Sequence, residues 1–453
     1  MRTYIEEAEI SVVQEPQLDI LYYPRAERKL VTEKQKETLN VLSLFSGCGG
    51  MDLGFEGGFS VLPQSINEIL TPNFIDKKLK NGFVQLKKTK FKTVFANDIL
   101  TDARNAWVNY FSNRGHNAED FYKESIVDLV KMYRAGVNVF PEDVDVVTGG
   151  FPCQDFSVAG KRNGFNSHKN HKGELIEDKT ASVETRGQLY MWMKEVIEIT
   201  KPKIFIAENV KGLVNLGDVK SIIQNDFSSA NGNGYIVLDP QVLHSADFGV
   251  PQSRERVIFI GIKKSALKKS ALVELEKETI SEQYNPYPNP THSYTVEGED
   301  LKHFVQLKDV FKHLEEPENT KDLSQKFFSK AKFMGKHCQG QTEIKLESIS
   351  PTIRSEHHGN IEFRRLSKEN GGQLENELKK GLKERRLTVR ECALIQTFPP
   401  DYDFVIENKS GRKGSFLVSP SQAYKIIGNA VPPLLAYNLA KRIEEVWDLY
   451  FKK

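Results

Sequence analysis

The sequence predicts an α/β fold of the nucleotide-binding kind, followed by a smaller and irregular second part, and three observations carry this. Short apolar runs recur at Val41-Leu42-Ser43-Leu44-Phe45, Val144-Asp145-Val146-Val147 and Lys203-Ile204-Phe205-Ile206-Ala207, and runs of that length read as buried strands. Two of them break into glycine-bearing turns, Ser46-Gly47-Cys48-Gly49-Gly50 and Thr148-Gly149-Gly150-Phe151-Pro152-Cys153, and the third runs into Glu208-Asn209. The chemistry-bearing residues therefore stand beyond carboxyl ends of strands, where open α/β sheets bind their ligands.

A chain of 453 residues can hold one large core and a smaller unit. Hydrophobic residues at 39% and charged ones at 27% place it among ordinary soluble globular proteins. No apolar run reaches eighteen residues, and the start Met1-Arg2-Thr3-Tyr4-Ile5-Glu6-Glu7 lacks a signal-peptide core, so a cytoplasmic protein without a membrane partner is expected. Cys48, Cys153, Cys338 and Cys392 lie far apart without a C-x-x-C pair, which argues against a zinc site and a disulfide framework. No metal is expected. The net charge of +2 does not by itself announce nucleic acid, although lysines cluster at Lys77-Lys78-Leu79-Lys80, from Lys87 to Lys92, from Lys161 to Lys172 and from Lys263 to Lys269.

Taken in order, residues 1-38 carry mixed charge and read as an N-terminal extension. The first strand then leads through the glycine turn into a helix beginning Met51-Asp52-Leu53-Gly54-Phe55. A dinucleotide fingerprint needs glycine at position 52, and Asp52 there disfavours both pyrophosphate binding and a nicotinamide enzyme. The lysine-rich stretch 60 to 92 reads as an insertion, since a direct crossover would be shorter. The next strand, Thr93-Val94-Phe95-Ala96-Asn97, ends at Asp98, an acid suited to ribose hydroxyls; an N-cap of the helix that follows is the alternative. Cys153, on a tight turn beside Pro152 and Gln154, is better placed to attack a substrate than to fill a core. Residues 157 to 186 form a polar loop whose His168 and His171 lack metal-site spacing, and a helix follows from Tyr190 to Thr200. Farther on, Pro251-Gln252-Ser253-Arg254-Glu255-Arg256 enters the run Val257-Ile258-Phe259-Ile260-Gly261, and the period of two puts both guanidinium groups on one face. From about 263 to 383 the periodicities weaken and turn residues multiply, as in Asn285-Pro286-Tyr287-Pro288-Asn289-Pro290. Near the end, Gly428-Asn429 reads as a turn, Pro432-Pro433 as a helix start and Leu434 to Tyr450 as an amphipathic helix.

In this order, Phe45 to Gly50, Pro152-Cys153, Glu208-Asn209, Gln252 to Arg256 and Gly428 to Pro433 resemble the motifs of C5-cytosine DNA methyltransferases. The resemblance covers roughly residues 39 to 262 and 384 to 450. It implies a Rossmann-like, S-adenosylmethionine-dependent methyltransferase fold: a catalytic domain at 39-262, a target-recognition domain at 263-419 and a C-terminal segment at 420-453 that completes the catalytic domain. The implied cofactor is S-adenosyl-L-methionine, held by Phe45, Ser46, Gly47, Cys48, Gly49, Gly50, Asp98, Pro152 and Leu189, with Ile99 against the adenine and Asn429-Ala430 beside the methionine end. Ser125-Ile126 stands where the family has an acid for the adenine amino group, so either that hydroxyl or Asp128 does this work.

The resemblance also assigns the chemistry. A thiolate from Cys153 adds to C6 of cytosine, which makes C5 nucleophilic provided charge at N3 is neutralised by a protonated Glu208. Asn209 would hold Glu208 or the base's amino group, and Arg254 and Arg256 would grip the target's carbonyl or phosphate. The substrate implied is double-stranded DNA with its target base flipped out, contacted by Gln154 and Ser157. Base readers are expected in the second domain, from Gln339, Gln341, Arg354, His357, His358 and Asn360, because Arg, Gln and Asn can hydrogen-bond base edges. Arg386-Leu387-Thr388-Val389-Arg390-Glu391-Cys392 resembles the motif that organises this domain. RNA would suit the same chemistry, but a recognition region of over a hundred residues favours DNA. A DNA-binding module without activity is disfavoured by the intact Cys153, Glu208 and both arginines. A monomer is expected, with a restriction endonuclease acting on the same site as the candidate partner.

Overall fold

The computed structural model describes residues 38–152, 189–215, 218–295, 300–355, 361–412 and 414–452. Residues Thr38–Lys453 form one compact unit. The expected N-terminal extension and the loop 157 to 186 lie outside the described residues.

The organising layer is a sheet of β1 (Leu39–Leu44), β2 (Phe91–Asn97), β3 (Phe121–Tyr122), β4 (Val146–Gly150), β5 (Ile204–Val210), β6 (Tyr235–Val237), β7 (Gln241–His244) and β8 (Glu255–Lys263). Its order is β7-β8-β5-β4-β1-β2-β3, with β6 also paired to β8. Strands β3, β2, β1, β4 and β5 run parallel, whereas β8 is antiparallel to β5, β6 and β7. The parallel strands are buried on both faces, which is why their sequences are nearly continuous apolar runs. Val41, Ile204 and Ile206 pack into one core, and Leu42, Phe205 and Ala207 into the other, as the two-residue period requires.

Helices cover both faces. On one lie α1 (Gly50–Glu56), α2 (Thr101–Phe111) and the C-terminal helix α8 (Pro433–Tyr450); on the other lie α3 (Ile126–Arg134), α4 (Leu189–Thr200) and α5 (Val219–Ser228). The last helix returns to the first: a Cβ at Gly54 would lie 2.5 Å from the Pro433 carbonyl, so glycine there permits the α1–α8 contact. The lysine-rich stretch after α1 contains a three-stranded antiparallel sheet of Ser60–Val61, Ile75–Lys78 and Val84–Leu86. It is anchored by Phe74, whose ring packs edge-on to Tyr437 of α8 at 5.1 Å.

Between residues 263 and 388 the described elements are short, such as the pair Phe363–Arg365 and Arg385–Arg386. Charge rather than a large apolar core holds this pair. Arg385 makes a two-point bond to Glu391, with both distances 2.9 Å, and its Nε reaches Glu316 at 2.8 Å. Arg365 reaches the same Glu316 and also Glu377, both at 2.7 Å. Glu391 additionally closes a capping box with Thr388 at the start of α6 (Val389–Ile395).

Two boundaries differ from the sequence expectation. Glu208 and Asn209 lie inside β5 rather than beyond it, because antiparallel pairing with β8 continues past the apolar run, to Ile258↔Glu208, Val257↔Asn209 and Arg256↔Val210. Gly428-Asn429 is no turn; both residues end α7 (Pro420–Asn429), whose start is capped by the Ser419 hydroxyl. Glycine is required at 428 for close approach, since a Cβ would collide with the backbone carbonyl of Arg354.

Candidate active site at the carboxyl ends of the parallel strands

Strand β1 lies between β2 and β4, so the chain crosses to opposite sides of the sheet on either side of it. A crevice opens at such a switch point, outside the carboxyl ends. The turn after β1 is specialised for it. Phe45 adopts a left-handed conformation with φ 52°, costly for a bulky residue, and Gly47 follows with φ 55°. A Cβ on Gly47 would meet nothing within 4 Å, which leaves its backbone open to a ligand.

The neighbouring glycines do other work. A side chain on Gly49 would lie 2.6 Å from Phe111 and Trp107, and one on Gly50 would run into the Val431 carbonyl. These two glycines admit helix packing and the C-terminal segment, not a cofactor, which corrects the expectation that the whole turn is bare for a ligand. Cys48 is buried with its Sγ donating to the Ile426 carbonyl at 3.4 Å, and burial pushes its thiol well up. Below the turn, Asp52 accepts from Ser43 Oγ at 2.5 Å and Trp107 Nε1 at 2.8 Å, while Ser46 Oγ lies 2.8 Å from Ser43 Oγ. The residue that excluded a dinucleotide fingerprint is thus the buried acceptor that braces the turn.

Asp98 bridges the β1 and β2 ends. Its carboxylate accepts from Gly47 N at 3.0 Å and from Leu100 N at 2.9 Å, so it shapes the turn and starts α2 at once. Ile99 beside it is 43% exposed and offers an apolar surface at the crevice. Ser125 is a correction: its buried hydroxyl accepts from Val127 N at 3.3 Å and caps α3, and Ile126 is buried beneath it. Leu189, the first residue of α4, is buried. On the opposite rim Asn429 is exposed and Ala430 is buried.

The other half of the site rests on strand register. Gly150 is paired with Glu208, and a Cβ on Gly150 would come 2.7 Å from Glu208 Oε2. Glycine therefore makes room for the carboxyl at the end of β4, two residues before Pro152. Arg256 Nε meets Glu208 Oε1 at 2.6 Å. Burial pushes the carboxyl of Glu208 above the usual carboxylate range, against the pull of Arg256 and Arg254. Asn209 is also buried, but it does not hold Glu208: its Nδ2 donates to the Phe151 carbonyl at 3.2 Å and pins the start of the loop. Cys153, Gln154 and Ser157 lie outside the described residues. Among the described cysteines, Cys48 and Cys392 are buried and Cys338 is exposed.

Arg254 corrects the expectation of two guanidinium groups on one face. The strand begins only at Glu255, and Arg254 turns inward, 1% exposed, to donate to the carbonyls of Ile353, Gly428 and Ala430. Of the expected base readers, Gln339 is exposed, whereas Gln341 is 2% exposed and its Oε1 accepts from Met334 N at 2.8 Å. That burial removes Gln341 from the base edges. Arg354 is partly exposed and stands 3.9 Å from Glu362. His357, His358 and Asn360 lie outside the described residues. Arg386 supports this region from below, donating to the carbonyls of Ala331, Gly340 and Lys332. The bridge from Gln252 Nε2 to Gln396 Oε1, at 2.7 Å, was not legible beforehand, since 144 positions separate the two residues.

No helix among the described residues is long and apolar enough to cross a membrane. The family model for C-5 cytosine-specific DNA methylase matches residues 39–445. Type II methyltransferase M.BsuRI of Bacillus subtilis is 33% identical over 90% of this chain and 79% of its own length. Type II methyltransferase M.BspRI of Lysinibacillus sphaericus is 31% identical over 92% and 84%. Among solved structures, the Dnmt2 methyltransferase of S. pombe aligns with a TM-score of 0.51 at 17% identity, over 90% of this chain and 98% of that one, and shares the fold. Both the family and the fold imply use of S-adenosylmethionine. The chain belongs to the C-5 cytosine-specific DNA methylase family and is a DNA (cytosine-5-)-methyltransferase.

Proposed function

We propose that Cys153 and Glu208 carry the reaction, and that the observation supporting this is the register of Gly150 against Glu208. It sets a buried, proton-retaining carboxyl beside the strand end that leads to Cys153. The thiolate of Cys153 adds to C6 of a flipped-out cytosine while Glu208 gives a proton to N3, which makes C5 an enamine carbon. When bound, S-adenosylmethionine supplies the methyl group that C5 takes up. Loss of the C5 proton and expulsion of Cys153 then restore the ring. Arg256 orients Glu208, and Asn209 fixes the Phe151 carbonyl and with it the loop's entry.

The cofactor cradle fits an uncharged adenosine with an amino-acid tail. The open backbone at Gly47 allows close approach, the carboxylate of Asp98 suits ribose hydroxyls, Ile99 offers an apolar face to the adenine, and Asn429 borders the methionine end. The hydroxyl of Ser125 is spent on its helix cap, which leaves Asp128, in the first turn of α3, for the adenine amino group. Residues 263-419 read the duplex, with Arg354 and Gln339 as base-edge donors and His357, His358 and Asn360 as further contacts. Two relatives are named Type II methyltransferases, which supports a cognate restriction endonuclease acting on the same site.

The test is bisulfite sequencing of host DNA after expression, joined to trapping on a duplex with 5-fluorocytosine at the mapped site. Fluorine cannot leave C5 as a cation, so one methylated, covalently held complex accumulates, and its peptide carries Cys153. The Cys153→Ser variant forms none, because a hydroxyl supplies almost no anion near neutral pH. An adduct on Cys48, Cys338 or Cys392, or undiminished trapping by Cys153→Ser, overturns the assignment.

A further inference from the structure

One buried guanidinium joins two stretches that lie far apart in the chain. Arg254 Nη1 donates to the Ile353 carbonyl at 3.0 Å, and its Nη2 donates to Gly428 at 2.9 Å and Ala430 at 2.8 Å. Ile353 immediately precedes Arg354, and Gly428 and Ala430 flank the exposed Asn429. A second bridge runs beside the first. Ile353 N donates to Gln252 Oε1 at 2.9 Å, Gln252 Nε2 to Gln396 Oε1 at 2.7 Å, and Gln396 Nε2 to the Ile427 carbonyl at 2.7 Å and that of Ala430 at 3.2 Å. Reciprocal backbone bonds, Ser253 N to Ser350 O at 2.8 Å and Ser350 N to Pro251 O at 2.9 Å, fasten the same segments. The absence of a side chain at Gly428 lets the Arg354 backbone lie directly against it.

These bonds are exacting. The carbonyls that Arg254 reaches lie in a buried setting where a lost partner is costly, and a planar fork satisfies three of them in a way a lysine cannot. Movement of either stretch therefore strains bonds at the other. We propose that Arg254 is a positioning residue that makes DNA binding and cofactor binding cooperative, by locking the Ser350–Arg354 segment to the Gly428–Ala430 segment. The proposal rests on the assignment of Arg354 to DNA and of Asn429 to the cofactor, and adds the coupling between them. Such coupling is reciprocal: whatever factor the DNA contributes to cofactor affinity, the cofactor returns to DNA affinity.

Calorimetry with S-adenosylhomocysteine, alone and with a saturating duplex carrying the mapped site, measures the coupling as a ratio of dissociation constants. The wild-type ratio is expected at about fivefold or more. In Arg254→Lys it falls below about twofold while each ligand alone binds within about threefold of wild type. A merely structural role would weaken both single-ligand affinities and leave the ratio in place, and that result overturns the proposal, as does a wild-type ratio of one. Should Arg254→Lys not fold, Gln396→Met decides on the parallel bridge: a ratio reduced by about half or more supports the coupling, and an unaltered one overturns it. Arg354→Ala and Asn429→Ala, titrated alongside, separate the two failures, because they test which ligand each segment touches whereas the ratio tests the link.

Discussion

Gly150→Ala probes the site at its tightest point without touching a reacting group. The added Cβ would stand 2.7 Å from Glu208 Oε2, whereas ordinary contact begins near 3.4 Å, so the carboxylate has to retreat by about 0.7 Å. It is the far end of a side chain, so the strand pairing of Gly150 with Glu208 can survive. The 2.6 Å contact with Arg256 cannot survive unchanged. A displacement approaching 1 Å at a reacting group costs up to about a hundredfold in rate. A weakened charge-assisted bond is worth about 1.5–3 kcal/mol. The expectation is therefore a kcat lower by about ten- to a hundredfold, with cofactor affinity and Tm nearly unchanged. Transfer of a tritiated methyl group to a site-bearing duplex gives kcat, and trapping on 5-fluorocytosine reports whether the slow step is attack at C6. Wild-type kcat in the folded variant would refute the placement of Glu208 at the reacting base.

Three further outcomes are expected. Asp98→Ala should weaken S-adenosylhomocysteine binding by about ten- to a hundredfold in calorimetry, since a charged acceptor worth about 1.5–3 kcal/mol is lost and the Gly47 turn is released; an unchanged Kd places the ribose elsewhere. Burial pushes the Asp52 carboxyl up from the ordinary value near 3.8 to about 6, so the folded protein binds more protons than the unfolded chain between those values. Its contribution is present below about pH 4 and is lost as pH rises through about 6, so the stability difference between wild type and Asp52→Asn in urea melts should fall by on the order of 2–3 kcal/mol from pH 4 to 7. A difference independent of pH would refute this. Arg385→Ala should cost about 3–5 kcal/mol, because Glu391, 1% exposed at its side chain, is left without its two-point partner; a Tm within a degree or two of wild type would show that Glu316 and Arg365 suffice.

The sequence by itself determined the architecture of the sheet's centre and the identity of the reacting groups. Buried parallel strands write themselves as unbroken apolar runs, and the residues that end them are local signals, so β1, β4 and β5, the turn at Gly47 and the acid at Asp98 were legible without a fold. So was the final helix, from its amphipathic period. The tertiary structure alone decided what each polar side chain meets. Glu208 is a strand residue because β8 pairs beyond the apolar run, and Arg254 is a buried clamp because carbonyls 99, 174 and 176 positions away arrive beside it. Gly49, Gly50 and Gly428 are glycine because helices or backbone press on them, and Gln341 and Ser125 are occupied by nearby backbone amides. A buried donor or acceptor must find a partner, and the partner is chosen by whichever segments the core brings within about 3 Å, a property of the packed chain that no local pattern of residues records.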